Sequence, residues 1–119
     1  MKRVELEKSV LTGREVVELM EEASLSMELV ASNKTSLRGE EKEKEIERLE
    51  HLHHVLLHAL RDKGLEKVFE TYKQSTEDML ALFDMQGRVR DYEKRMERVE
   101  SELRSSRVVL ESKSVIVIL

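Results

Sequence analysis

The hydrophobic residues change their period along this chain, and each change marks an element. In "RVELEKSVL" Val4, Leu6 and Val10 alternate with polar residues, a period-two pattern that predicts a short strand. After Thr12 and Gly13, which suit a helix start, Val16, Met20, Ala23, Met27 and Val30 recur at spacings of three and four. This predicts an amphipathic helix over 14–32, with Glu15 and Glu18 where the helix dipole favours negative charge. The polar "SNKTSLRG" predicts the loop that follows, because Ser, Asn and Thr side chains compete for backbone hydrogen bonds.

A second helix is predicted over 40–63. Acidic residues open it, Arg61, Lys63 and Gly64 close it, and Ile46, Leu49, Leu52, Leu56 and Leu60 form its apolar face. A third is predicted over 65–86 from the stripe Leu65, Val68, Phe69, Tyr72, Met79, Leu80 and Phe83. The pattern allows these two helices to fold back as a hairpin or to run on as one bent rod.

The next stretch, with a helix over 88–107, carries heptads. Leu82, Val89, Met96 and Leu103 fall at position a and Met85, Tyr92 and Val99 at position d, a seam of about three heptads that ends at the polar Ser106. In a parallel, in-register pair of such helices each g residue faces the e residue of the partner's next heptad. Arg88 then meets Glu93, Arg95 meets Glu100, and Glu102 meets Arg107. All three pairings are attractive, whereas an antiparallel self-pairing sets like charges together. The seam residues and these six charges therefore predict a homodimer, although the same stripe also suits packing inside the chain's own bundle.

Beyond position 107, "RVVLESKSVIVIL" places two β-branched runs around a polar "ESKS". Residues 108–119 thus predict a hairpin, or a final strand pairing with the N-terminal "RVELE". Such an edge of Val and Ile needs cover from helices, a second subunit or a partner. Val117, Ile118 and Leu119 also fit the apolar pattern that strand-adding modules of the PDZ kind accept.

Composition narrows the class. The 119 residues fit one domain spanning 1–119, and 39% are charged while only 3% are aromatic, with no Pro, Trp or Cys. That bias is the bias of long helices, and the absence of Cys removes disulfides, thiolate metal sites and cysteine nucleophiles. The net charge of −4, with both signs mixed throughout, argues against a grip on nucleic-acid phosphates. "MKRVELEKSV" has no apolar leader core and "VIVIL" is too short to span a bilayer, so a soluble cytoplasmic protein with no membrane partner is expected.

Chemistry concentrates in "EHLHHVLLHALRDKG", which holds all four histidines. On a helix, Glu47, His51, His54 and His58 share one face at spacings that allow imidazole and carboxylate to meet a divalent transition metal. Enclosed sites draw ligands from at least two elements, and "EHLH" is a single Glu-x-x-His unit, so the principal expectation is a solvated face without a cofactor. His53 falls between Leu49 and Leu56, as a core or interface histidine would.

Two short resemblances complete the chemical inventory. Glu15-x-x-Glu18 and Glu18-x-x-Glu21 in "REVVELMEEA" resemble the first acidic motif of the all-helical MazG-like nucleotide pyrophosphatases, which implies magnesium held against a triphosphate. That family's second motif, Glu-x-x-Asp, should follow, but Glu77, Asp78 and Asp84 have the wrong spacing. "LTGREVVEL" resembles the opening of LuxR-type DNA-binding helices, yet no turn and recognition helix follow. The expected class is mainly α: a helical bundle with a long coiled-coil-like C-terminal helix and a short terminal β element. The expected role is a non-enzymatic homodimeric adaptor or regulatory subunit that binds another protein, with a metal-binding bundle as the alternative.

Overall fold

A computed structural model describes residues 3–85 and 89–119, with the backbone alone at 89 and 90. The fold is mainly α. Its order is β1 (Val10–Thr12), α1 (Gly13–Ala31), α2 (Gly39–Asp62), α3 (Glu66–Asp84), α4 (Val89–Ser112) and β2 (Ser114–Ile116). The molecule measures 52 × 33 × 19 Å, so it is elongated.

Local chemistry explains most boundaries. At the start of α1 the Thr12 hydroxyl accepts the Glu15 N–H at 3.1 Å and the Glu15 carboxylate accepts the Thr12 N–H at 3.2 Å, a complete capping box. The end of α1 turns through Asn33, whose φ of 60° brings the Lys34 N–H to the Leu29 carbonyl. The end of α2 repeats the device with glycine. Gly64, at φ 68°, donates to the Arg61 carbonyl, and the Leu65 N–H reaches the Leu60 carbonyl at 2.9 Å. The residues at the two ends of that bond, Leu60 and Leu65, are both fully buried, so the turn is also a core contact.

α1 lies along α2 and α3 along α4, while α2 and α3 approach each other far less closely. The molecule is therefore two helical hairpins, and the second and third helices neither pair closely nor run on. The main core belongs to the first hairpin: Val16, Met20, Leu49, Leu52, Leu56 and Leu60 pack with Leu11, Leu110, Val115 and Val117 from the chain ends. This body also receives the root of α3 through Leu65, Val68, Phe69 and Tyr72. The distal parts of α3 and α4 form an arm, where Leu82 and Val99 are buried outside that core.

Three expectations are corrected here. The run Val108–Ser112 is helix, not strand, because Leu110 seats in the body and Arg14 pairs with Glu111. Those contacts outweigh the β preference of Val108 and Val109, both of which stay exposed. The N-terminal strand is shorter and shifted: β1 pairs antiparallel with β2 with Val10 opposite Ile116, and the Val117 N–H continues the ladder to the Ser9 carbonyl. Val4 is buried and Leu6 half-buried, but Leu11 rather than Val10 points inward, so the alternation changes phase between them. In the third helix, Leu80 and Phe83 are exposed, since they lie at the far end of the arm beyond the body.

Gly13 ties the ends of the chain together. A Cβ there would stand 2.9 Å from the Leu110 carbonyl oxygen and 3.1 Å from Leu65, so the close approach of α1 to the end of α4 requires glycine.

Candidate functional site

The histidine face is where the helix period puts it. His51, His54 and His58 are exposed on α2, as is Glu47 one turn earlier. The rings of His54 and His58 stack with centroids 6.1 Å apart and planes 8° from parallel. Among the described residues no group of three or more His, Asp or Glu side chains converges as a metal site would require. His53 is half-buried, and its pKa is pushed down by burial first, then by the charges of Lys73 on α3 and of His54. Burial there favours the neutral form of the His53 imidazole.

The acidic motif of α1 is occupied by structural contacts. Glu15 caps its helix and pairs with Lys8 at 2.9 Å, and these bonds hold its carboxyl below the usual range. Glu18 pairs with Arg14, which also reaches Glu111 on α4. Burial raises the pKa of Glu21, with the Glu18 charge adding to it. Glu18 and Glu21 thus stand close enough to repel, but among the described residues they belong to no group of three or more acidic or histidine side chains that could hold a metal.

The heptad stripe spans two helices, not one. Leu82 ends α3 and is buried, Met85 is the exposed C-cap of α3, and Tyr92, Met96, Val99 and Leu103 lie on α4. The chain reverses between them, so α3 runs back along the stripe of α4 and covers Val99 and Ser106 within one chain. Met85, at position d of the stripe, is exposed in the single chain. Arg88 and the side chain of Val89 lie outside the described residues.

Of the remaining charges, Glu102 accepts the Ser75 hydroxyl at 3.1 Å, a contact across the arm rather than between chains. Glu93, Arg95, Glu100 and Arg107 are exposed, and among the described residues none of them forms an ion pair. The ion pairs gather instead on the body, around Arg3, Arg14, Arg48 and Arg61.

Two features escaped the sequence pattern. One is the outer face of the β1–β2 ribbon, where Val10 and Ile116 are both exposed beside Ile118 and Leu119. The period-two signal was present, but its phase depends on which strand lies opposite. The other is a pair of clefts flanking the extended segment 3–8, which exist because Val4 and Arg48 come together from positions far apart in the chain. No local spacing announces such a contact.

No helix among the described residues is long and apolar enough to cross a membrane. No family model, curated protein or solved structure matches this chain.

Proposed function

We propose that this protein is a non-enzymatic interaction module that forms a homodimer by packing its α3–α4 arms together into a four-helix bundle. One observation carries this reading: the arm is incompletely buried. Met79, Tyr92, Met96 and Leu103 are half-buried along the hairpin, and Leu80, Phe83 and Met85 are exposed near its tip. Two antiparallel helices cover only part of each other's apolar stripe, and a second hairpin supplies the missing layer.

A parallel α4–α4 seam would require α3 to leave Val99, so hairpins pairing as units fit the geometry better. The dimer would then offer the ribbon face of Val10, Ile116 and Ile118 to another protein, which is the adaptor role. A metal-binding α2 face is the lesser reading, and it rests on the stacked rings of His54 and His58.

Light scattering coupled to size exclusion tests the pairing. The wild-type chain is expected at twice its 13.9 kDa mass. Leu80→Asp and Phe83→Asp are expected at one chain mass with helical circular dichroism retained, because both side chains are already exposed in the single chain. A wild-type monomer at high micromolar concentration would refute the reading. Native mass spectra of the same sample report any bound ion, and a stoichiometric metal lost in His54→Ala would reverse the ranking.

A further inference from the structure

The larger of the two clefts, about 750 Å³, lies between the second half of α1, the turn at 32–38, the first half of α2 and the extended segment 3–8. Its size falls within the range of roughly 300–1,000 Å³ typical of small-molecule sites. The floor is apolar, with Val4, Val30 and Leu49 buried and Leu29 and Leu37 half-buried. Ser26 also lines it. That serine is only 8% exposed, and among the described residues its hydroxyl has no hydrogen-bond partner.

Charge separates this cleft from its neighbour. Its lining holds four basic side chains against two acidic ones, on a chain whose net charge is −4. The neighbouring cleft across segment 3–8 holds two basic side chains against five acidic ones. Most of the basic groups in the first cleft are already engaged. Arg48 binds Glu45 and the Val4 carbonyl, Arg3 pairs with Glu5 and Glu45, and Lys44 pairs with Glu40. Lys34 differs: its ammonium forms no ion pair among the described residues, while its N–H is fixed by the Leu29 carbonyl at 3.0 Å. The turn therefore contributes to the lining a cation that no carboxylate pairs with among the described residues; Glu41 is the acidic lining residue likewise without an ion pair among them.

We infer that this cleft binds a small amphipathic anion, a molecule with an apolar body and a single carboxylate or phosphate head. The body lies on Val4, Val30 and Leu49, the head meets Lys34, and the Ser26 hydroxyl offers a polar contact along the floor. An anion is favoured because Arg3, Lys44 and Arg48 are already paired with carboxylates while Lys34 is left without one, on a lining that carries more basic than acidic side chains. The site lies on the body and is independent of how the arms pair.

Isothermal titration calorimetry with octanoate, octyl phosphate and octylammonium tests this directly. Saturable binding with one site per chain is expected for at least one of the two anions, at least tenfold tighter than for octylammonium. Which anion binds tighter distinguishes a carboxylate from a phosphate ligand. Lys34→Glu should weaken that binding at least tenfold while leaving the thermal unfolding midpoint near that of the wild type, since Lys34 is exposed. The charge reversal Lys67→Glu, on α3 away from the cleft, should leave it unchanged. Absence of saturable binding to both anions, equal affinity for octylammonium, or indifference to Lys34→Glu would each overturn the assignment.

Discussion

The body and the arm are built from helices of similar length and similar periodicity, yet they are held together differently. In the body, α1 and α2 are covered on their apolar sides by segment 3–8, the β1–β2 ribbon, Leu65 and Leu110, so Val16, Leu56, Leu60 and Val115 reach full burial. In the distal arm α3 and α4 have only each other, and the residues they bury are Ser75, Leu82, Val99 and Ser106. Two of those four are serines. Small residues let the helices approach closely, but they contribute little apolar burial, and the arm gains a hydrogen bond from Ser75 to Glu102 in its place. The difference teaches that amphipathic period alone does not measure stability: the number of layers around a stripe decides how much of it leaves water.

Substitutions in the two regions should separate accordingly. Leu56→Ala, in the centre of the body, is expected to have the largest effect, about 2–5 kcal/mol in urea unfolding, because its surroundings are enclosed on every side. Leu82→Ala is expected near the lower end, about 2 kcal/mol or less, because one flank of the arm can relax. Hydrogen exchange sharpens that contrast. Leu82→Ala should speed exchange between residues 75 and 103 while amides of α1 and α2 keep their protection; equal acceleration in both regions would show that arm and body unfold as one unit.

Smaller effects probe the joints. Thr12→Ala removes the hydroxyl of the capping box and should cost about 1 kcal/mol, read as a lower midpoint in the same urea experiment. His53 gives a pH-dependent term at the junction of body and arm. Its folded pKa is depressed from 6.5 by burial, so the unfolded chain takes up a proton first as pH falls. The stability contributed by neutral His53 is complete above about pH 6.5 and declines below it. His53→Gln should flatten the pH dependence of the unfolding midpoint in that window, and an unchanged slope would place the titration elsewhere.

Much of the local architecture was legible. Thr12 with Gly13 and the change of period at Val16 predict the start of α1, and Gly64 predicts the end of α2. The face Leu49, Leu52, Leu56 and Leu60 is buried as its spacing implies. These features depend on residues within one or two turns of each other, where backbone hydrogen bonding and side-chain spacing act directly. The histidine face was legible as geometry too, since His51, His54 and His58 do share the exposed side of α2. Whether an ion joins them depends on ligands from another element, which spacing on one helix does not specify.

What the chain encodes locally, then, is where helices begin, where they end and which side of each is apolar. Tertiary structure alone decided what covers those sides. The heptads from Leu82 to Leu103 carry no mark of the reversal that sets α3 against α4, and the β-branched Val108 and Val109 carry no mark of the Leu110 contact that keeps them helical. The cleft beside Lys34 arises in the same way, from Arg48 holding the Val4 carbonyl across 44 positions of sequence. Short-range hydrogen bonds are fixed by neighbours in the chain. Burial is a property of the whole assembly, because the free energy of removing a side chain from water depends on every surface that closes over it.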